Sequence, residues 1–364
     1  MKVYTTKLIT IVGIGIVLIL LLESSACNAV NTRNIINVSS DISGFTGVVS
    51  TVINENNYLI LGTDSLVKNA TSANLLTQAA KPEEGLIILD MNNPTSPKEI
   101  SYLKSESSID FFKVYGTILY VGTSDYLWMI DISNPSSPVE IQKEYSITSV
   151  RDIVVSGHYL YAAEVNTDRI NVYDIDVLKS PVLVSYLDIE ALTLKISGAK
   201  LLALTNRGIN IIDISMPEDP KEIGYIVNPN PPQDFPIHPN EVITGLTDMS
   251  INGDYVYIVA GLNKFIVANI TKPTSPVQIA VIDTKAAGQK IITLGEYAYI
   301  FSIQFAQTST PSLLAIVDIS NPAKPREIKD IKLPNSIALS MIALNNIIYI
   351  PDRESPTMKI ISAD

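Results

Sequence analysis

The sequence has few of the residues that disulfides, metal centres and nucleic-acid binding require. Its 364 residues include one cysteine, Cys27, and two histidines, so neither an internal disulfide nor a histidine-rich metal site can form. Positive charge is scarce, with 26 Lys and Arg against 37 Asp and Glu and a formal net charge of −11. Because nucleic-acid binding depends on Lys and Arg displacing counterions, we expect no nucleic-acid partner. We also expect no cofactor, although carboxylates alone can hold a hard cation such as calcium.

Long apolar runs are also lacking, apart from one near the N-terminus that is short for a membrane span. Residues 8–22 form this run after a start that carries two lysines, whereas a transmembrane helix needs about 20 apolar residues. A basic start, a short apolar core and the small residues Ser24 and Ala26 are typical of an export signal. We predict that residues 1–26 are a signal peptide and that the protein is exported.

Cys27 would then be the first residue after the signal, which resembles the arrangement in bacterial lipoproteins, where this thiol receives a lipid. Ser24 departs from that pattern, because an aliphatic residue is usual there. Lipidation of Cys27 is one alternative; plain secretion and retention by an uncleaved signal are the others. All of them place a short tether, residues 27–33, and the domain that follows outside the cytoplasm, at the cell surface or in the medium.

The rest of the chain repeats with a period near 41 residues. Six segments combine an apolar run with a closing proline, at Pro97, Pro138, Pro181, Pro220, Pro276 and Pro325. These prolines lie 41, 43, 39, 56 and 49 residues apart, so two intervals contain insertions. A shortened seventh copy begins at Met358. A fixed period of this length indicates a repeat architecture.

Each repeat contains four short apolar runs, which in the second repeat are 109–115, 118–121, 126–132 and 139–145. The runs are rich in Val, Ile and Tyr and too short for helices, so they indicate strands. Many lack polar alternation, which indicates burial on both faces, as in sheets stacked around an axis. We predict an all-β fold for residues 34–364, a seven-bladed β-propeller with four-stranded antiparallel blades, with six or eight blades as alternatives.

The seventh repeat stops before its fourth strand, which leaves the predicted sheet incomplete. Residues 34–39 (Asn-Ile-Ile-Asn-Val-Ser) precede the first repeat and belong to no other blade. We predict that this segment completes the seventh blade, because an open edge would invite aggregation.

An aspartate in the turn after the third strand recurs from repeat to repeat. Asp131 is placed to accept a hydrogen bond from the backbone two residues on, and Pro135 fixes φ in the turn. We expect the same capping role for Asp90, Asp213 and Asp318. A metal-binding or catalytic ring of these aspartates is the alternative.

At these residues the chain resembles the LVIVD-repeat family of surface β-propeller proteins. Leu314-Ala-Ile-Val-Asp318 followed by Ile-Ser-Asn-Pro nearly spells the family motif, and the likeness recurs over most of residues 45–362. Asn269 and Ser362 replace the motif aspartate, and Val-Leu-Lys at 177–179 replaces the usual Asn-Pro turn. The resemblance implies a propeller fold and carries over no catalytic residue.

Three insertions fall at one end of the predicted blades. Residues 63–84 and 304–312 lie between second and third strands, and residues 228–243 lie between two repeats. In a propeller these connections share one face, while turns on the opposite face, such as Gly157-His158, are tight. Because long loops on a rigid scaffold often bind ligands, we predict a ligand-binding face there. Its candidate residues are Asp125, Glu164, Asp168, Arg169, Arg207, Phe235, His238 and Arg353.

The sequence favours a binding or scaffold module over an enzyme. It has no G-x-S-x-G nucleophile motif and no phosphate-binding G-x-G-x-x-G loop. We predict a protein or glycan partner at the cell surface, a glycosylation site at Asn69, and membrane attachment through the N-terminal lipid or signal. The binding module has two alternatives. One is a hydrolase or lyase that uses carboxylates at the central channel, and the other is a structural component of the envelope.

Overall fold

The computed structural model of the chain is built from β-strands. It describes residues 18–21, 35–39, 45–53, 56–63, 84–93, 97–228, 245–261, 263–302, 312–333, 341–344, 346–351 and 357–362. Among these residues no helix is long and apolar enough to cross a membrane.

The strands are numbered in chain order. Strands β1 to β6 are Leu18–Leu21, Ile35–Ser39, Phe45–Ile53, Asn56–Thr63, Gly85–Asp90 and Lys98–Lys104. Strands β7 to β14 are Ile109–Tyr115, Ile118–Thr123, Leu127–Asp131, Val139–Glu144, Val150–Ser156, Tyr159–Glu164, Arg169–Asp174 and Val182–Leu187. Strands β15 to β22 are Thr193–Ser197, Lys200–Leu204, Gly208–Asp213, Lys221–Val227, Leu246–Asn252, Tyr255–Ala260, Lys264–Asn269 and Val277–Asp283. Strands β23 to β29 are Lys290–Leu294, Tyr297–Ser302, Ser312–Asp318, Arg326–Leu333, Ile342–Leu344, Ile347–Pro351 and Thr357–Ser362.

Six sheets have four strands each, and we call them blades 1 to 6. They are β3–β6, β7–β10, β11–β14, β15–β18, β19–β22 and β23–β26, with strands in chain order across each sheet. The chain divides into two compact units, one formed by residues 1–119, 131–139 and 335–364 and the other by residues 120–130 and 140–334. Blade 1 lies in the first unit, and blades 3 to 6 lie in the second.

Among the described residues six sheets are four-stranded, so the prediction of seven such blades is wrong in number. The remaining sheet, in the first unit, has five strands in the order β1-β2-β29-β28-β27. It contains the predicted pairing of the two chain ends, with Ile35 of β2 opposite Ile361 of β29. The fifth strand is β1, inside the predicted export signal, which pairs with β2 from Leu18 to Leu21. The pairing of the chain ends is therefore confirmed, and β1 is an unpredicted addition.

The hydrophobic core of the second unit lies between successive blades. One buried cluster joins Leu202 and Ile211 of blade 4 to Met249 and Ile258 of blade 5. A second cluster joins Phe265 of blade 5 to residues of blade 6. The second strands of the blades are buried on both faces, as the absence of polar alternation predicted.

Buried carboxylates on first strands link successive blades. The backbone N–H of Leu194 in blade 4 donates to Asp152 Oδ2 in blade 3 at 2.8 Å. The N–H of Ile291 in blade 6 donates to Asp248 Oδ2 in blade 5 at 3.1 Å. Because a buried charge must be hydrogen-bonded to be tolerated, these two carboxylates have a structural role.

The turn aspartates cap the backbone as predicted. Asp131 Oδ1 accepts a hydrogen bond from the N–H of Ser133 at 2.8 Å. The same contact, at 2.8–3.0 Å, joins Asp90 to Asn92, Asp174 to Asp176, Asp213 to Ser215, Asn269 to Thr271 and Asp318 to Ser320. Hydrogen bonds from the Ser215 backbone and hydroxyl hold the pKa of Asp213 below its usual value. Asn269 replaces aspartate without loss of the contact, because its amide oxygen is also an acceptor.

Candidate functional site

Each blade has one end at which its second strand turns into its third. We call this the 2–3 end and the opposite one the 1–2 end. In blades 2 to 6 the hairpins at the 1–2 ends are alike, because the first residue of the turn is a glycine with φ of 58–61° at Gly116, Gly157, Gly198, Gly253 and Gly295. Two-residue hairpin turns need a positive φ at this position, which glycine adopts without strain. The predicted tight turns are therefore confirmed, and His158 lies exposed in one of them.

The 2–3 end of blade 2 carries an aromatic pair. Tyr126 immediately precedes the third strand and Tyr145 immediately follows the fourth. Their rings pack edge to face with centroids 5.4 Å apart. Lys143 Nζ lies 5.2 Å from the centroid of the Tyr126 ring and 5.5 Å from that of Trp128. Tyr126 and Trp128 are buried, whereas Tyr145 is 64% exposed. The Lys143 side chain is only 16% exposed and lies 3.8 Å from Glu140 Oε2. The accessible group at this end is therefore the Tyr145 ring, which suits a partner with an apolar face.

The 2–3 end of blade 3 carries an ion pair at the equivalent position. Arg169 Nε donates to Asp188 Oδ1 at 2.7 Å, and its guanidinium carbon lies 4.1 Å from the centroid of the Tyr186 ring. Asp168, the preceding residue, has a φ of 52° and is exposed. Aspartate tolerates this left-handed conformation better than most residues, and it turns the chain into the third strand.

Blade 5 repeats the arrangement of blade 3 with different residues. Lys264 opens the third strand opposite Asp283, and the two side chains form an ion pair. Asn263, with a φ of 61°, takes the place that Asp168 has in blade 3. Neither Lys264 nor Asp283 was among the predicted site residues.

Blade 4 has no charged pair at its 2–3 end. Gly208 opens the third strand opposite Val227. A Cβ on Gly208 would lie 2.2 Å from the Ile226 carbonyl oxygen and 2.5 Å from the Tyr225 hydroxyl, so the backbone and this tyrosine together leave no room for a side chain. Arg207 lies exposed in the turn, and its backbone N–H donates to Thr205 Oγ1 at 3.2 Å.

Glu164 lies beneath the 2–3 end of blade 3. Its side chain is buried, and its Oε1 accepts a hydrogen bond of 2.6 Å from the Tyr173 hydroxyl. Burial, together with the hydrogen bond and charge of Glu164, raises the pKa of Tyr173. Asn171 Nδ2 also lies 3.5 Å from the Tyr173 hydroxyl. Glu164 therefore belongs to a buried polar network rather than to the exposed rim.

The other predicted site residues fall into two groups. Asp125 is exposed in the 2–3 turn of blade 2, where its N–H donates to Thr123 Oγ1 at 3.2 Å. Outside the described residues lie Phe235, His238, Arg353, the lipidation candidate Cys27 and the glycosylation candidate Asn69.

A shallow depression of about 530 Å³ lies between blades 5 and 6, lined by residues at the 2–3 end of blade 5 and by the outer strand β26 of blade 6. Its lining comprises Asn263, Asp283, Thr284, Lys285, Glu327, Ile328, Lys329 and Asp330. Lys285 Nζ bonds Asp330 Oδ1 at 2.6 Å, and the Lys285 N–H donates to Glu327 Oε2 at 2.9 Å. The hydrogen bond and charge of Asp330 raise the pKa of Lys285. The alternation of acids and bases suits a polar partner with donors and acceptors rather than a bare ion. Over the described part of the chain, no group of three or more His, Cys, Asp and Glu side chains could hold a metal ion.

Known structures with the same arrangement of sheets define the class of protein. BamB from Moraxella catarrhalis has a TM-score of 0.54 and 12% identity, over 95% of this chain and 96% of that one. A chain of a Mitotic Checkpoint Complex structure has a TM-score of 0.62 and 12% identity, over 94% and 98%. The WD40 domain of Pan2 from Neurospora crassa has a TM-score of 0.56 and 12% identity, over 88% and 90%. At these identities the likeness shows the fold alone, an all-β propeller with four-stranded antiparallel blades.

The family follows from the repeats. The LVIVD repeat matches residues 80–104, 112–143, 148–186, 246–284 and 287–332. The protein belongs to the LVIVD-repeat family, as its motif residues predicted. Blade 4 lies between the third and fourth matches, yet it has the same four-stranded sheet as its neighbours. No curated protein matches the chain.

Proposed function

We propose that the protein is an exported, non-catalytic binding or scaffold module of the cell surface. A protein or glycan docks on the 2–3 ends of its blades. The observation that carries the proposal is a contrast between the two ends. In blades 2 to 6 the 1–2 hairpins repeat the same glycine turn, whereas the equivalent pair at the 2–3 end is aromatic in blade 2, ionic in blades 3 and 5, and uncharged in blade 4.

A contribution to stability does not explain why the paired residues at the 2–3 ends differ between blades. Exposed ion pairs contribute about 0–1 kcal/mol, so the folded state gains little from Arg169–Asp188 or Lys264–Asp283. The positions that determine the fold, the turn aspartate and the hairpin glycine, are instead kept nearly constant. In this protein the structural residues recur from blade to blade, whereas the side chains at the 2–3 ends differ. That is the pattern expected of a binding surface on a repeat protein.

Two further observations support the proposal. One structural neighbour is a component of a Mitotic Checkpoint Complex, which favours a protein partner. In addition, cleavage after residue 26 would remove β1 and leave the sheet β2-β29-β28-β27 with four strands. We therefore propose that the mature protein has seven four-stranded blades.

Charge reversal at a 2–3 end tests the binding face. We expect Lys264→Glu to weaken binding of the purified full chain to whole cells or to a glycan array by about tenfold, since a like charge opposes a partner that Lys264 attracts. Lys272→Glu is the matched control, because Lys272 is exposed in the same blade at the opposite end. Melting temperatures should be unchanged in both variants.

Trimming the insertions extends the same test. Replacing residues 63–84 and 228–243 by short Gly-Ser turns should reduce binding if these loops belong to the docking face. Binding that survives the loop trims and Lys264→Glu, but is lost in Lys272→Glu, would move the site to the 1–2 ends and contradict the proposal.

Attachment through Cys27 has its own test. If the thiol carries a lipid, the protein should partition with membranes, and Cys27→Ser should release it or leave the signal uncleaved. Intact mass of the native protein measures this directly. An unmodified N-terminus would remove lipidation from the proposal and leave export unaffected.

A further inference from the structure

One position of the fourth strand changes character in blade 6. It lies opposite the third-strand residue that is three before the turn aspartate or asparagine. Blades 1, 3 and 4 have a tyrosine there, at Tyr102, Tyr186 and Tyr225, whereas blade 5 has Val281 and blade 6 has Asp330. Among these five blades, only blade 6 has a charged side chain at this position.

In two of these blades the tyrosine covers the glycine that opens the third strand. A Cβ on Gly85 would lie 2.7 Å from the Tyr102 hydroxyl, and Tyr225 approaches Gly208 in the same way. Asp330 has no ring to extend over the sheet, and its side chain is 28% exposed. The depression between blades 5 and 6 lies against it and has a volume of about 530 Å³. This volume is within the range of about 300–1,000 Å³ that is usual for small-molecule sites.

The charges in and beside the depression are balanced. They are three carboxylates and three lysines, namely Asp283, Glu327, Asp330, Lys264, Lys285 and Lys329. Lys264 forms an ion pair with Asp283, and Lys285 forms one with Asp330. An anionic ligand would meet carboxylates beside the lysines, and a cationic ligand would meet lysines beside the carboxylates, so like charges oppose both. An uncharged ligand avoids both repulsions.

Lys285 positions the hydrogen-bonding groups of the depression. Its Nζ bonds Asp330 Oδ1 at 2.6 Å, and its backbone N–H donates to Glu327 Oε2 at 2.9 Å. Each carboxylate uses one oxygen in these contacts, so the other oxygen, Asp330 Oδ2 or Glu327 Oε1, can accept a hydrogen bond from a ligand. Thr284 holds the loop in place, since its hydroxyl donates to the carbonyl oxygen of Ala286 at 2.9 Å. The acceptors are thus fixed before a ligand arrives, which lowers the entropy cost of binding.

The depression also offers apolar contact. Ile328 lines it, and the aliphatic stems of Lys285 and Lys329 add C–H surface. A sugar ring matches this combination, because its C–H groups are apolar and each of its hydroxyls both donates and accepts hydrogen bonds. Hydroxyls that donate to carboxylates and accept from an ammonium group form charge-assisted hydrogen bonds, which are roughly twice as strong as neutral ones. An uncharged sugar therefore satisfies the polar and the apolar groups together.

We propose that this depression binds one sugar unit of an uncharged glycan. The sugar hydroxyls donate to Glu327 and Asp330 and accept from the Lys285 ammonium group, while a C–H face lies against Ile328. The proposal rests on the proposed function, because it names the ligand of one part of the docking face at the 2–3 ends. A protein partner would need a total contact area of about 1,200 Å² or more for a stable complex, whereas a sugar unit fits the depression alone.

Two variants of the purified full chain test the site on an array of uncharged oligosaccharides. Asp330→Tyr introduces the tyrosine of blades 1, 3 and 4 and fills the depression, so binding should fall by about tenfold or more. Glu327→Ala removes a charged acceptor and should weaken binding by about tenfold. Glu190→Ala is the matched control, because it breaks an exposed ion pair with Arg151 outside the depression. Its binding should equal that of the wild type.

Treatment of whole cells with periodate separates the two classes of partner, because periodate cleaves the vicinal diols of sugars and leaves polypeptide chains intact. We expect it to abolish binding of the full chain. Binding that resists periodate but is lost after protease treatment would identify a protein partner and overturn the glycan site. The site would also be overturned by wild-type binding in both depression variants, or by an array on which no uncharged oligosaccharide binds.

Arg169→Glu, at the 2–3 end of blade 3, distinguishes failure of the glycan site from failure of the docking face. If it weakens binding to whole cells while both depression variants bind like the wild type, the docking face stands and only the glycan site fails. If none of the three variants weakens binding, both proposals fail. Melting temperatures are measured in parallel, and Glu327→Ala alone decides if Asp330→Tyr unfolds the protein.

Discussion

Replacing Gly224 with alanine should destabilise the protein by about 1–3 kcal/mol, and valine should cost more. A Cβ at this position would lie 1.8 Å from the carbonyl oxygen of Pro273 and 3.0 Å from its carbonyl carbon. Both are backbone atoms of the blade 5 turn, so no side chain can rotate away. Blades 4 and 5 would have to separate, and the buried cluster between them would lose contacts. Alanine also lowers the entropy of the unfolded chain, but that gain of about 0.4–1 kcal/mol is the smaller effect.

Ser185 provides the matched comparison, because it occupies the position of Gly224 in blade 3. There the turn of the next blade is far enough away for a side chain, and the serine hydroxyl bonds the Pro217 carbonyl at 2.7 Å. Ser185→Ala should therefore cost only one hydrogen bond, about 0.5–1.5 kcal/mol. Urea unfolding of the two variants measures the difference. Equal destabilisation in both would contradict the close approach of Gly224 to Pro273.

The contact between a fourth strand and the turn of the next blade explains why the turn after each third strand has a fixed shape. The Ser101 hydroxyl of blade 1 donates a hydrogen bond to the Pro135 carbonyl oxygen at 2.8 Å, as the Ser185 hydroxyl does to that of Pro217. The turn aspartate holds this loop in shape, and the loop then packs against the preceding blade. The repeated Asp and Pro residues are therefore accounted for by packing between blades.

The strands and their caps could be predicted from the sequence because both are periodic. The four runs of the second repeat, beginning at 109, 118, 126 and 139, correspond to strands that begin at Ile109, Ile118, Leu127 and Val139. The repeat period and the turn residues determine the strands and their caps locally, so these features can be predicted without the tertiary contacts.

The candidate residues predicted from the turns include Arg169 but not its partner Asp188, and neither member of the Lys264–Asp283 pair. Lys264 and Asp283 are 19 residues apart in sequence, and only the register of the third and fourth strands brings them together. The spacing from the closing proline carries that register, since Asp283 follows Pro276 by the same seven residues by which Asp188 follows Pro181. Glu164 was placed on the rim for a related reason. It is the last residue of β12, a strand that is buried on both faces, so proximity to a turn did not imply exposure.

The blade count was wrong because a short apolar strand can extend any open edge. Residues 8–22 are the apolar core of the predicted export signal, residues 1–26, and nothing in their pattern shows that Leu18–Leu21 pairs with β2. Pairing of this kind depends on which edge is free, which is a property of the folded sheet.

Deleting residues 28–40 should cost several kcal/mol of stability, the largest effect that we expect from a change outside the repeats. The deletion removes β2, which pairs with β29 over five residues, from Ile35 opposite Ile361 to Ser39 opposite Thr357. Ile361 is fully buried. Because burying an aliphatic side chain contributes about 1.5–3 kcal/mol, exposing Ile361 alone accounts for a cost of that size, and the five strand pairs of β2 with β29 are lost with it. Without β2, the last strand becomes an open edge.

A point variant separates the effect of lost strand pairing from the effect of removing residues 28–40. Ile36→Pro keeps the chain length but removes a backbone donor from β2 and fixes φ there, so it should destabilise the protein in the same direction by a smaller amount. Deleting residues 28–33 alone leaves β2 in place and should leave the melting temperature close to that of the full chain. The closure of the chain ends would be contradicted if the 28–40 deletion also left the melting temperature unchanged. If the deletion lowers the melting temperature and the protein then aggregates, the exposed edge of β29 is the expected cause, because an unpaired apolar strand is a template for further pairing.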